Sequence, residues 1–350
     1  MVRGTNLDQQ RGKRMRKLFT AALAGLSIGA LISSAFAADE KKVVIAYQTG
    51  SVPYFVGIAN GEIAKRTGWN IEFRRFNSGA DIFAAIASGA VQIGDVGSSP
   101  YSAAVSKGLD VKAFYISSVS RDGEALVVRP EIKTPSDLKG KKLAAAPVST
   151  DHYQLLAVLK QEGISEKEAQ VIAIPQPEIV AAWKRGDIDG AFVWDPALSE
   201  LKKNGKVLLT AGQVADRGAP TFSALVATGE FAKQHPEFLT QYVQQVDGYF
   251  VSFAKDKAAW GPESENAKLI AGLQGGTPAE NAERLKSTVV PPLQEQLSDK
   301  WLGGGEKSGV AKILKDTANF LKEQRKITAV KDSYAAFVDP RYAEAAKVSN

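Results

Sequence analysis

The sequence has no cysteine, and among its 350 residues there are only two histidines, His152 and His235, and two methionines. Without cysteine there is no disulfide, no thiolate metal site, no cysteine nucleophile and no lipid-modified cysteine anchor. Two histidines cannot furnish a multi-histidine metal centre, so neither a metal nor a cofactor is expected. Charge of one sign is also scarcer than the formal +6 suggests. Residues 1–37 hold Arg3, Arg11, Lys13, Arg14, Arg16 and Lys17 against one acid, Asp8, so most of the excess belongs to that segment. The remainder is nearly neutral, which gives no reason to expect nucleic acid or an acidic membrane as a partner. Hydrophobic residues at 44% and charged residues at 23% fit an ordinary globular chain and argue against disorder or low complexity. The length suits about two domains.

Residues 1–37 read as an export signal. Basic residues run to Lys17, and an apolar stretch follows from Leu18 to about Ile32. Ser33-Ser34-Ala35-Phe36-Ala37 then offers small side chains at the two positions a signal peptidase reads. The apolar run is short for a membrane span, and polar sequence follows it at once. Met15 would begin a more compact signal than Met1, so the true start is open between the two. Cleavage after Ala37 predicts a soluble protein free in the periplasm, with no nucleic-acid partner and a monomeric state.

From Val43 onward, strand and helix signals alternate. Apolar, β-branched runs predict strands at Val43–Gln48, Ile71–Phe76, Val91–Val96, Val111–Val119, Ala125–Arg129, Leu143–Ala146, Ala169–Ile174 and Gly190–Val193. Helices are predicted over Phe55–Arg66, Ala80–Ala87, Thr150–Glu162 and Ile179–Arg185, with another opening at Ser98-Ser99-Pro100. This alternation predicts parallel α/β sheets. Beyond Ala227 the chain reads as mostly helical, with helices at 236–255, 263–273, 278–287 and 307–325; Thr277-Pro278-Ala279-Glu280 has the residues of a capping box. One internal echo supports two similar halves. Ala84-Ala85-Ile86-Ala87-Ser88-Gly89-Ala90-Val91 resembles Ala181-Ala182-Trp183-Lys184-Arg185-Gly186-Asp187-Ile188, and each runs on through a strand to a capping residue and a proline, Ser99-Pro100 and Asp195-Pro196.

No catalytic constellation stands out. The sequence lacks a Gly-x-Ser-x-Gly elbow, a zinc-protease motif, a P-loop and a dinucleotide glycine fingerprint. A Ser/His/Asp triad needs no sequence adjacency, but two histidines make a poor starting set. No catalytic residue is therefore nominated. Polar residues do cluster where strands meet helix N-termini: Ser98 and Ser99 before Pro100, and Ser149 and Thr150 before His152 and Tyr153. Helix N-termini hold anions through unpaired N–H groups and the positive dipole end. Each site alone is equally an ordinary cap. Glu124 opens a strand where the first half hands over to the second; its carboxylate either holds a cation or is simply solvated. Trp194-Asp195-Pro196 ends another strand. Asp195 is either a helix cap or, beside the Trp194 ring, half of an ammonium site. His152 reads more simply as a structural hydrogen-bonding residue. Gln48 ends the first strand, at the edge where α/β proteins bind ligands.

Several of these runs together resemble the periplasmic taurine-binding proteins, a branch of the aliphatic-sulfonate and nitrate receptors. They are Ala46-Tyr47-Gln48-Thr49, Ser78-Gly79-Ala80, Gln92-Ile93-Gly94, Gly97-Ser98-Ser99-Pro100, Glu124-Ala125-Leu126-Val127-Val128, Ser149-Thr150 with His152-Tyr153, Ala181 to Ala191, and Gly218-Ala219-Pro220-Thr221. The resemblance spans about residues 43–335. It implies a two-lobed α/β periplasmic-binding-protein fold of type II, with two hinge strands and C-terminal helices. Residues 38–123 plus 225–350 would form lobe 1 and 124–224 lobe 2. It further implies capture of taurine or a related sulfonate and delivery to the membrane permease of an ABC importer. The anion-binding serines would be Ser98, Ser99 and Ser149, with Gln48 and Glu124 as further contacts. Two positions depart from the pattern: Asp195 stands where a small residue is common, and Phe222-Ser223 where an acid can occur. Ser223 joins the expected contacts. The departures leave room for another alkanesulfonate or small oxyanion. A thiamine-pyrimidine enzyme on the same scaffold is the rival from a different class.

Overall fold

The computed structural model describes residues 41–348; the proposed signal segment lies outside the described residues. The first half runs β1 (Lys42–Gln48), α1 (Phe55–Ala59), α2 (Glu62–Thr67), β2 (Asn70–Phe76), α3 (Gly79–Ala87), β3 (Ile93–Gly97), α4 (Ser98–Ser106) and β4 (Val111–Val119). The helix expected over Phe55–Arg66 is two helices, because Asn60 ends α1 and Gly61, at φ 73°, takes a left-handed conformation that glycine adopts without strain.

The second half holds β5 (Glu124–Val128), β6 (Leu143–Ala145), α5 (Thr150–Gln161), β7 (Val171–Ala173), α6 (Gln176–Arg185), β8 (Gly190–Trp194), α7 (Ala197–Lys202), β9 (Lys206–Thr210) and α8 (Ala211–Asp216). The chain then returns through β10 (Phe222–Thr228) to a helical region: α9 (Gly229–Gln234), α10 (Pro236–Lys255), α11 (Glu265–Gln274), α12 (Pro278–Leu285), α13 (Leu293–Gln296), α14 (Gly309–Glu323) and α15 (Arg341–Val348). The capping box expected at Thr277 opens α12.

There are two five-stranded sheets, ordered β2-β1-β3-β10-β4 and β7-β6-β8-β5-β9. They are mixed rather than wholly parallel. β10 runs antiparallel between β3 and β4, and β5 runs antiparallel to both β8 and β9. The remaining pairs are parallel. These reversals follow from the route: β5 and β10 are the strands that arrive from the other sheet. The two crossings, 120–123 and 217–221, touch, since Ser120 N donates to Thr221 O at 3.1 Å.

Each sheet is clothed in apolar side chains. One cluster covers the first sheet and reaches into the C-terminal helices through Phe238, Tyr242, Leu314 and Leu321. Two clusters flank the second sheet, one around Leu126, Leu155 and Phe192, the other around Val127, Trp183 and Val193. Phe320 of α14 joins the second sheet's core, where Tyr153 meets its ring edge-on at 5.0 Å between centroids. The C-terminal helices thus brace both halves, and the carboxyl ends of β1, β3, β6 and β8 face one cleft.

Candidate ligand-binding site

Between the sheets lies a cavity of about 160 Å³. Its walls are strand ends and helix beginnings, as the topology of an open α/β sheet dictates. Gln48 closes β1 and Trp194 closes β8. Three helices of nine residues or more begin at the wall: α3 with Ser78, Gly79 and Ala80, α4 with Gly97 and Pro100, and α5 with Ser149 and Thr150. Unpaired N–H groups and positive dipole ends make this face attractive to an oxyanion without any basic side chain.

Small residues let these elements converge. A Cβ on Gly79 would sit 2.7 Å from the Pro100 ring, and one on Gly97 would sit 2.9 Å from Thr150 Cγ2. The second contact crosses from one sheet to the other. Trp194 crosses too, its Nε1 donating to Thr49 Oγ1 at 3.2 Å.

Seven of the ten residues nominated from sequence line the cavity: Gln48, Glu124, Ser149, Thr150, Trp194, Asp195 and Ser223. Three lie behind its wall. Ser98 and Ser99 are fully buried because Gly97, not a serine, is the N-cap of α4 and the serines are its first helical residues. Ser98 Oγ accepts the Phe222 N–H at 3.4 Å, and Ser99 Oγ has no partner. His152 is buried and its Nδ1 accepts the Val148 N–H at 3.3 Å. Val148 lines the cavity at φ 59°, a left-handed conformation that a β-branched residue rarely holds unaided. His152 therefore braces the turn leading into α5. Burial, with Lys326 adding to it, lowers the imidazole pKa to about 4, which keeps Nδ1 free to accept.

Acids at the wall differ in how they are held. Asp95 accepts from Tyr54 OH at 2.6 Å and Ser117 Oγ at 2.6 Å, while burial pushes its pKa up. Asp195 Oδ1 accepts the Ser199 N–H at 3.0 Å and the Ser199 hydroxyl, so it does serve α7 as a cap. The same oxygen lies 3.4 Å from Arg284 Nε. Glu124 is different. It accepts hydroxyls from Ser120 at 2.7 Å and Thr150 at 3.1 Å and forms no ion pair among the described residues. Asp151 lies against it, fully buried, with no hydrogen-bond partner other than Glu124. Burial first, and Glu124 second, push the Asp151 pKa well up.

Arg284 is, with Asp95 and Arg121, among the charged wall residues that the sequence did not disclose. It sits in the last turn of α12, four residues after Glu280, in the spacing of a surface ion pair. Its side chain is only 9% exposed and lines the cavity. Among the described residues no cluster of three or more metal-ligating side chains occurs, and no helix is long and apolar enough to cross a membrane.

Strand-order reversal, two sheets facing one cleft and an anion-suited wall define a periplasmic-binding-protein fold. Solved structures of that kind superpose on the chain. The alkanesulfonate-binding protein SsuA from Xanthomonas axonopodis pv. citri, bound to MOPS, matches with a TM-score of 0.67 at 23% identity, over 83% of this chain and 95% of that one. The periplasmic aliphatic sulphonate binding protein SsuA from Escherichia coli gives 0.65 at 22%, over 87% and 91%. Residues 53–249 match the family described as NMT1/THI5 like, and the chain belongs to that family. The taurine-binding periplasmic protein of Escherichia coli K12 is 38% identical over 317 residues, 91% of this chain and 97% of that protein.

Proposed function

We propose that the chain captures taurine, 2-aminoethanesulfonate, in the cavity between its sheets and delivers it to the membrane permease of an ABC importer. One observation carries this reading. The cavity brings three helix N-termini together with a carboxylate, Glu124, that has no cationic partner among the described residues. Taurine has the matching ends. Its sulfonate is a weak base with three acceptor oxygens, suited to neutral N–H and hydroxyl donors. Its ammonium, once out of water, needs an anion, because an unpaired buried charge is costly. Glu124 is that anion, and Asp195 is already committed to Arg284 and α7. The act is capture and release, with no bond made or broken.

The same reading divides the chain into lobe 1, residues 38–123 plus 225–350, and lobe 2, residues 124–224, closing on the ligand about the two crossings. β10 begins at Phe222, which supports taking 217–221 as the second crossing. It also makes residues 1–37 a cleaved signal, the mature protein a periplasmic monomer beginning at Ala38, and the sulfonate contacts Ser149, Thr150, Gln48, Ser223 and the backbone at Gly79 and Gly97.

Calorimetric titration with taurine, ethanesulfonate and acetate tests it. Taurine should bind most tightly, ethanesulfonate should bind more weakly for lack of the amine, and acetate should not compete. A protein that binds no sulfonate overturns the reading. Solution scattering should show a smaller radius of gyration at taurine saturation; identical curves would sink closure.

A further inference from the structure

Arg284 is a buried cation whose Nε–H makes no hydrogen bond. Its side chain is 9% exposed, and Nε is inaccessible to solvent with no hydrogen-bond partner. Its one ionic contact is Asp195 Oδ1 at 3.4 Å, an oxygen already accepting the Ser199 N–H and hydroxyl. A guanidinium carries five N–H donors in a rigid fork, and leaving them unpaired out of water is costly. Arg284 nevertheless lines the cavity, where a ligand can supply the acceptors.

Position indicates which part of a ligand that is. Glu124 pairs with Trp194 in the β5–β8 register, and Asp195, the partner of Arg284, is the next residue. Ser287, three residues after Arg284, lies against Gly123, the neighbour of Glu124, where a Cβ would sit 3.2 Å from the Ser287 hydroxyl. Arg284 therefore serves the ammonium end of the ligand. A cation at that end repels an ammonium unless something anionic lies between them. Asp195 supplies part of that shielding, and a ligand carboxylate would supply the rest. A planar carboxylate also matches the guanidinium fork in two parallel bonds, a fit that a pyramidal sulfonate meets less well.

We propose that Arg284 is a specificity-determining residue that grips a carboxylate, and that the site accepts aminosulfonates carrying a carboxylate on the amine-bearing carbon, of which cysteate is the simplest. The inference rests on the taurine reading of the same cavity, since cysteate is taurine with that one group added. Three anchors then meet three groups: helix N-termini the sulfonate, Glu124 the ammonium, Arg284 the carboxylate.

The test titrates taurine, ethanesulfonate and L-cysteate into the full-length mature protein and into Arg284→Gln and Arg284→Lys, with thermal unfolding of each ligand-free variant as the folding control. In the unsubstituted protein cysteate should bind at least as tightly as taurine. Arg284→Gln should weaken cysteate by about 10- to 100-fold, as expected for lost hydrogen bonds to a charged group, and weaken taurine at least tenfold less. Arg284→Lys, which keeps the charge but not the fork, should fall between. Cysteate binding more than tenfold below taurine in the unsubstituted protein overturns the inference, and that comparison needs no variant to fold. Equal losses for all three ligands also overturn it, because Arg284 would then act on the sulfonate or on closure. If taurine binds and cysteate does not, only this inference fails. If no sulfonate binds, the taurine reading fails with it.

Discussion

Thr150 donates its hydroxyl to Glu124 Oε2 at 3.1 Å, tying the first residue of α5 to the first residue of β5. The bond fixes the direction of a wall carboxylate that has no ion pair among the described residues, and it keeps that carboxylate beside a helix N-terminus. Ser120, at the crossing between the sheets, holds the other oxygen at 2.7 Å. Glu124 is thus aimed both by α5 and by the crossing between the sheets.

Glu124→Gln should therefore act on ligands according to their charge. The amide keeps an acceptor for one of the two hydroxyls, leaves the other to accept from the amide N–H, and loses the charge. Taurine affinity should fall by about 2–4 kcal/mol, the range for breaking a desolvated charge pair. Ethanesulfonate, with no ammonium, should change by less than about 0.5 kcal/mol, as for a substitution that removes no contact. Calorimetry on both ligands decides it, and an equal loss would mark a folding defect instead.

Asp151→Asn should raise ligand-free stability at neutral pH. The wild-type carboxyl has its pKa pushed well up, by burial and then by Glu124. The folded protein therefore keeps a proton there that the unfolded chain releases near pH 4. That protonation stabilises the fold below about pH 4, and the contribution is lost as pH rises. Asn removes the titration. The variant should match wild type near pH 4 and gain about 1–3 kcal/mol by pH 8, the scale of an uncompensated buried polar group. Urea unfolding at three pH values measures the difference, and a gap that does not widen with pH counts against it.

His152 carries the opposite sign. Its folded pKa is about 4 against an ordinary 6.5, so between those values the unfolded chain binds more protons and stability rises with pH. On acidification the fold should lose roughly 2–3 kcal/mol through this one group across that window. His152→Gln keeps an acceptor for the Val148 N–H but cannot titrate. Its stability should decline less than wild type's between pH 7 and 4; parallel curves would show that the imidazole is not held neutral.

Eight of the ten described strands, all but β9 and β10, and most helices were legible because their apolar periodicity is local. Strand direction was not. Nothing in Glu124–Val128 or Phe222–Thr228 says that each arrives from the opposite sheet, and it is that route which reverses them. The short strand Lys206–Thr210 carries a lysine and a threonine and half-exposed positions, too little pattern to separate from a loop. At the site, Ser149 was correctly read as the opening of α5, where its hydroxyl accepts the His152 N–H at 3.0 Å. One position made the difference at α4: the cap is Gly97, which turns Ser98 and Ser99 inward. Arg284 was hidden by its company, because Glu280 and Arg284 at four-residue spacing look like any exposed helical pair, and only the fold shows that this turn faces a cavity.

The narrow approach of Gly97 to Thr150 offers a way to open the cleft without touching a charge. Gly97 has φ −70°, so alanine meets no backbone strain there. Its Cβ would nevertheless lie 2.9 Å from Thr150 Cγ2, across the gap between the sheets, closer than carbon atoms pack. Gly97→Ala should leave the ligand-free fold near its original stability while holding the lobes apart. Taurine and ethanesulfonate should then weaken by a similar factor, about tenfold, since overpacking costs on the order of 1–3 kcal/mol and here falls on the closed form. The obstructing atom can be removed by itself. Thr150→Ser deletes Cγ2 and keeps the hydroxyl that Glu124 accepts, so Gly97→Ala with Thr150→Ser should recover most of the lost affinity. The four proteins form a double-mutant cycle, with a coupling of at least about 0.5 kcal/mol expected for residues in contact. Scattering should show Gly97→Ala failing to contract fully with taurine and the double variant contracting again. Additive losses, with no recovery in the double variant, would show that the two residues do not meet as the lobes close.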